Sequence, residues 1–327
     1  MSKSKAAVNI VFGAMTIGKA GGLEGSRIST IEETSAVLDV FQQHGYNEVD
    51  NARTYAAGTC EQFFADANWE KRGLIMTTKL YPTASKNMKD VHRGLLNSLE
   101  ALKSKTIDMW YLHGPDRTTR FEVILAEVDK LHKGGYFKRL GVSNFQSWEV
   151  AQVCEICKKN GWIMPSAYQG IYNALHRGTE PVLLPCLRYY GISLYAFQPL
   201  AGGFLTGRYQ RDSSSYAEGS RFDPKRAQGM LHHGRYWKPE YFDALGNIQA
   251  ATGRHGLTMA EAALRWLIHH SLVQSDKGDA VIIGASSAEQ LEANLTDMGK
   301  GPLPEDVVNA VNDGWEMAKG RVPNYWH

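Results

Sequence analysis

The chain has 327 residues, 43% of them hydrophobic, which is enough to bury a large core and falls within the size of one α/β barrel, so a single domain over 1–327 is expected. Lysine and arginine number 36 against 34 aspartates and glutamates, a balance that offers no basic field to a nucleic-acid backbone or an anionic membrane. The opening MSKSKAAVNI has no apolar run of signal-peptide length and no later stretch suits a bilayer span, so the sequence reads as a soluble, cytoplasmic protein.

Short apolar runs alternate with longer amphipathic stretches, the pattern of repeated βα units around a parallel sheet. VNIVFG ends a first strand at Gly13, and TIEETSAVLDVFQQHG follows as a helix that Thr30 caps and Gly45 ends. YNEVD closes a second strand at Asp50 and LIMTTK a third at Lys79. The helical pattern NMKDVHRGLLNSLEALKS leads to IDMWYLH, which ends at His113. RFEVILAEVDKLHKGG leads to FKRLGVSN through Ser143, and SWEVAQVCEICKKNG to PSAYQG with Gln169. GISLYAF ends near Phe197 and DAVIIG at Gly284. Eight such strands make an α/β protein of the (β/α)8 TIM-barrel type, each helix giving one apolar face to the sheet. The interval from Gln198 to Asp279 is longer: a Gly-, Ser- and Arg-rich loop over about 198–240 precedes two helical patterns, and a loop of that length is usually functional.

Four cysteines, Cys60, Cys154, Cys157 and Cys186, are too few and too scattered for a disulfide framework. Cys154 and Cys157 form C-x-x-C, but inside a helical pattern with no strand-turn before it, which favours half-buried helix residues over a redox or metal pair.

In a barrel of this kind chemistry gathers at the C-terminal strand ends. Asp50, Lys79 and His113 close three successive strands, and Tyr55 follows Asp50 in the loop NARTYAAG. A free phenol and a free lysine titrate near 10, too high for proton transfer near neutrality. A lysinium beside the phenol makes it a better acid, an aspartate keeps the lysine aimed, and a histidine can hold a carbonyl oxygen by hydrogen bond. Together they would protonate a carbonyl oxygen while a hydride from a cofactor reaches carbon. Taken singly, each has a structural explanation: a bonded strand-end histidine, an ion pair, a packed tyrosine. Their conjunction favours chemistry.

The set Asp50, Tyr55, Lys79 and His113, in VDNARTY, TTKL and LHGPD, resembles the catalytic tetrad of the aldo-keto reductases. The resemblance continues through GVSNF, YQGIYN, YAFQPLAGGFLTGRY, IIGASSAEQLEANL and the ending PNYWH, and is nearest to the branch of the aflatoxin-aldehyde reductases. It implies an NADPH-dependent reductase of aldehydes and ketones, reactive aldehydes and dicarbonyls among them. Tyr55 would be the general acid, tuned by Lys79 and Asp50, and His113 would orient the carbonyl. Ser143, Asn144 and Gln169 would hold the nicotinamide carboxamide, with Phe197 against the ring. The segment from Gln198 through Leu200 and Gly202 to Arg208 would wrap the pyrophosphate, with Arg221 adding charge. Ala285, Ser286, Gln290 and Asn294, at a helix start, would hold the adenosine end, where free N–H groups favour a phosphate. No G-x-G-x-x-G follows the first strand, so a Rossmann domain is not supported.

The chain departs from the branch. Gln198 and Ala285 stand where asparagine and methionine are usual, and on the substrate side His232, Arg235 and His327 stand where a tyrosine and two arginines are expected. Histidine cannot reproduce an arginine fork, which implies a weaker preference for carboxylate-bearing aldehydes. The resemblance further allows a homodimer and, as the rival function, a cofactor-binding regulatory subunit with slow or no turnover. A barrel hydrolase is disfavoured, because no opposed Asp/Glu pair and no H-x-H sit at the predicted strand ends.

Overall fold

The computed structural model describes residues 4–21, 26–81, 88–213, 216 and 220–327; Asn87 of the third predicted helix and positions 214, 215 and 217–219 of the long loop lie outside them. The strands are β1 (Asn9–Gly13), β2 (Glu48–Asp50), β3 (Ile75–Leu80), β4 (Ile107–Leu112), β5 (Phe137–Ser143), β6 (Pro165–Ile171), β7 (Ser193–Phe197) and β8 (Ala280–Ile283). They form a closed parallel barrel in chain order, β8 returning to β1 through Asn9↔Ala280 and Val11↔Ile282. The protein is a (β/α)8 barrel.

Helices α1 (Ile31–Gln43), α2 (Cys60–Asp66), α3 (Met88–Ala101), α4 (Phe121–Lys133), α5 (Ser147–Asn160) and α6 (Leu183–Tyr190) cover it between successive strands. Thr30 caps α1 in a reciprocal box with Glu33, so two otherwise orphaned N–H groups are satisfied. Between β7 and β8 lie α7 (Ala227–Tyr236), α8 (Pro239–Arg254) and α9 (Met259–His269), where the sequence pattern predicts two helices. The extra one, α7, falls inside the expected loop. Its sequence AQGMLHHGRY has too few apolar residues to show a period, and it is held by a ring cluster around Phe222, Tyr236 and Trp237. At Gly229 a Cβ would meet the Asp223 carbonyl oxygen at 1.6 Å, so only glycine lets the helix start so close to the preceding chain. After β8 come α10 (Ala288–Met298) and α11 (Glu305–Ala318).

The barrel is filled, not hollow. Val11, Met109, Tyr111, Ala167, Tyr195, Ala280 and Ile282 form an inner apolar layer. Tyr111 fits because its neighbour in β5 is Gly141, where a Cβ would come within 2.2 Å of the ring. Below this layer Arg139 joins Glu48 at 3.2 Å and Asp108, while the Tyr195 hydroxyl donates to Glu48 at 3.2 Å. Burial raises the Glu48 carboxyl above its usual range, against the pull of Arg139.

Candidate active site

Side chains alternate along a strand, so Glu48 and Asp50 of β2 and Thr77 and Lys79 of β3 point into the barrel. Asp50 is the upper of its pair and Lys79 lies beside it. The Lys79 Nζ donates to both Asp50 oxygens at 2.7 Å and to the Asn51 carbonyl at 2.8 Å, with neither charged side chain open to water. Gln169 Nε2 donates to Asp50 Oδ1 at 2.7 Å. Burial nonetheless lowers the Lys79 pKa, outweighing the attraction of Asp50.

Tyr55 opens a tight turn, Tyr55–Gly58, in which Ala56 (φ 48°) and Ala57 (φ 54°) occupy the left-handed region. Non-glycine residues enter that region at a cost, which the surrounding packing must cover. The turn sets the Tyr55 ring with its centroid 4.8 Å from Lys79 Nζ and edge-on to His113 at 6.2 Å. His113 follows β4 and extends its ladder by donating N–H to the Leu80 carbonyl at 2.9 Å. Its imidazole is held well below the usual histidine pKa, mainly by burial and then by Lys79 and His327, so it is neutral at pH 7. The other face of His113 carries Tyr81, stacked at 4.2 Å and 21°. Tyr81 was not singled out from the sequence, although the period of two through Thr77 and Lys79 points to it.

Around this group lie the residues that the resemblance assigns to a cofactor. Asn144 (φ 64°) donates from Nδ2 to the His113 carbonyl at 2.8 Å and to Ser143 Oγ at 3.1 Å. Gln169, tied to Asp50 through its nitrogen, keeps Oε1 as an acceptor. Phe197 is half-buried against the inner layer. Beyond it the chain turns at Gln198 (φ 59°), and the Leu200 carbonyl accepts N–H bonds from Gly203 at 2.8 Å and Leu205 at 3.2 Å. Gly202 and Gly203, at φ 70° and 102°, adopt conformations open mainly to glycine. The Arg208 guanidinium lies over Gly203. Arg221 is half-buried, and its pKa is lowered by burial and by the nearby guanidiniums of Arg27 and Arg208. Such clustered cations fit a diphosphate that would relieve their repulsion. At the start of α10, Ser287 caps the helix, Ser286 donates from N and Oγ to Gln290 Oε1 at 2.6 and 2.8 Å, and Asn294 Nδ2 is buried with no hydrogen-bond partner. The buried Ala285 passes its carbonyl to Thr16 Oγ1 at 2.6 Å. The orphaned Asn294 donor and the positive end of the α10 dipole, near the arginine cluster, suit a dinucleotide bearing phosphates.

The substrate-side expectations divide. His232 does not reach the mouth: it is 3% exposed, its Nδ1 bonds the Gln228 carbonyl at 2.8 Å, and its ring fills the space a Cβ would take at Gly202. Burial pushes its pKa down to about 4, and it serves as a neutral prop of the loop. The Gln198 side chain is likewise turned into the loop, accepting from the Tyr236 hydroxyl at 3.0 Å. Arg235 is half-buried and near both Tyr81 and His327: burial raises the Tyr81 hydroxyl against the pull of its charge, whereas burial lowers the His327 imidazole and that charge adds to the effect. His327 is docked: Nε2 lies 2.9 Å from the Tyr81 hydroxyl, its N–H donates to the Asn144 carbonyl at 3.4 Å, and its carbonyl accepts from Arg117 at 3.2 Å. Cys154 and Cys157 are buried on α5, where burial pushes both thiols up to about 12 and keeps them protonated.

Residues 9–316 match the model of the Aldo/keto reductase family. The chain is 45% identical over 331 residues to the aldo-keto reductase pigE of Monascus ruber, covering 97% of each chain. It is 39% identical to two human proteins, aldo-keto reductase family 7 member A3 and aflatoxin B1 aldehyde reductase member 2, over 94% of its own length and 96% and 88% of theirs.

Proposed function

The chain belongs to the Aldo/keto reductase family, and from that premise we propose that it reduces aldehydes and ketones to alcohols with NADPH, Tyr55 serving as general acid. Family and relatives make it an oxidoreductase of carbonyl compounds. The finer reading rests on one observation: an ammonium fixed by two 2.7 Å bonds to Asp50 lies 4.8 Å from the Tyr55 ring, with a neutral imidazole at the ring's edge.

Lys79 cannot rotate away, because Asp50 and the Asn51 carbonyl accept the hydrogen bonds its ammonium donates. Its charge favours the phenolate and so lowers the cost of releasing the Tyr55 proton. Neutral His113 donates a hydrogen bond to the substrate carbonyl, orienting it and drawing charge toward oxygen. Tyr55 then passes its proton to that oxygen as carbon accepts hydride. Bound NADPH would supply the hydride. Ser143, Asn144 and the free Oε1 of Gln169 would meet its carboxamide, Phe197 its ring, and Gly202, Arg208, Arg221 and the start of α10 its phosphates. The cluster of Arg27, Arg208 and Arg221 supports a phosphate-bearing dinucleotide, and the buried Asn294 Nδ2, which has no hydrogen-bond partner, lies on the helix that the resemblance gives to its adenosine end.

Tyr55→Phe removes the acidic proton and leaves the ring. NADPH binding, followed by fluorescence, is expected to persist while aldehyde reduction falls at least about 100-fold, roughly 3 kcal/mol of barrier. Activity near that of the native protein would move the proton donor elsewhere. If the native protein binds NADPH and turns over no carbonyl in a broad panel, the regulatory-subunit reading replaces this one.

A further inference from the structure

The chemistry above leaves unused a buried acid next to the catalytic group. Glu61, in the first turn of α2, is closed off from solvent, and a carboxylate so buried needs partners for its oxygens. Its Oε2 accepts from Nη1 of Arg53, two residues before Tyr55. Its Oε1 accepts from Thr78 Oγ1 at 2.7 Å, next to Lys79 on β3. The Arg53 side chain reaches across the whole Tyr55 turn: a Cβ at Gly58, the last residue of that turn, would lie 2.7 Å from Nη2. The Arg53 backbone is fixed as well, its N–H donating to the Lys79 carbonyl at 3.1 Å.

A buried ion pair adds little stability over apolar packing, because desolvation offsets most of the attraction. What this pair adds is position. The turn holds Ala56 and Ala57 at φ 48° and 54°, conformations that persist only where the surroundings over-determine them. The guanidinium supplies such a constraint from residue 53 to residue 58, and Glu61 carries it to the strand that holds Lys79.

We infer that Arg53 and Glu61 are positioning residues: one carboxylate grips, with one oxygen, the turn that carries Tyr55 and, with the other, the strand that carries Lys79, and so sets the distance between phenol and ammonium. The inference rests on the reductase reading, and both residues act through Tyr55 and Lys79. It is tested in the full chain with the double variant Arg53→Met/Glu61→Met. This removes both charges, leaves the net charge unchanged and puts apolar side chains where an ion pair stood, an exchange that folded proteins tolerate. In the cofactor-free variant, amide hydrogen exchange over residues 56–59 is expected to rise at least about tenfold, while exchange in β3 and β4 stays within about threefold. With NADPH, the single-turnover rate of butanal reduction is expected to fall at least about tenfold, because small errors of placement are amplified in the rate, while NADPH affinity stays within about twofold. Lys79, His113 and Arg221 face the phenol. Farther from Lys79 the phenol is a weaker acid, so the basic limb of the rate moves up by at least about half a pH unit, which a plain loss of stability would not do. Arg53→Lys keeps the charge but loses the fork; its rate should fall at least about threefold, and it decides the question if the double variant does not fold. A native rate in either folded variant overturns the inference. So does a rate loss matched by an equal loss of NADPH affinity. No turnover of any carbonyl by the native protein overturns the reductase reading and this inference with it.

Discussion

Lys79 and Asp50 are both closed off from solvent, so neither can lose its partner cheaply. Lys79→Met would leave the buried Asp50 carboxylate with only the uncharged donors Gln169, at 2.7 Å, and Thr77, at 3.4 Å, and is expected to destabilise the protein by about 3–5 kcal/mol in urea unfolding, besides abolishing reduction. Gly141→Ala would drive a methyl to 2.2 Å from the Tyr111 ring inside a filled barrel, for an expected loss of about 2–3 kcal/mol by the same measurement. On the substrate side, His327 is engaged with Tyr81 and has no arginine fork, so kcat/KM for succinic semialdehyde is expected to be no higher than for butanal. A strong preference for the acid would refute that expectation. Polar residues at strand ends were legible in the sequence, because an apolar run that stops on Asp, Lys or His is uncommon without a use. His232 was misread. The slot that receives its ring exists only because Gly202 lacks a Cβ, and no residue pattern records such a vacancy between distant segments.

At the scale of elements, the predicted C-terminal strand ends fall within one residue of those observed, since β-branched and aromatic runs bounded by polar residues leave little choice of where a strand stops. The α1 cap was also legible, Thr30 and Glu33 standing at capping-box spacing. The helix α7 was not: its stability comes from ring packing by Phe222 and Trp237, supplied by tertiary structure and not by its own period. The turn over residues 201–206 carries a prediction. Gly203→Ala would place a Cβ 2.4 Å from Arg208 at φ 102°, so the turn must distort and the guanidinium must move. NADPH affinity, titrated by fluorescence, is expected to fall at least about fivefold, with a stability loss of only about 1–2 kcal/mol.

Across the whole molecule, burial holds histidines neutral: His176, fully buried, is pushed down to about 3 and His232 to about 4, and His113 lies well below 6.5. In the unfolded chain these imidazoles take up protons near pH 6.5, while the folded protein refuses them. Stability is therefore full above pH 6.5 and falls as pH drops from there toward 4, by roughly 1.4 kcal/mol per unit for each such histidine. Urea unfolding at pH 7 and pH 5 should differ by about 4 kcal/mol from His176 and His232 alone. A smaller difference would mean that these rings are reached by water. The closed end of the barrel has its own consequence. Glu48, Arg139, Asp108 and Tyr195 cork it, and the apolar layer above them blocks any traffic along the axis. On the proposed reductase reading, substrate and coenzyme would then share one doorway with the hydrogen ion that restores the Tyr55 phenol.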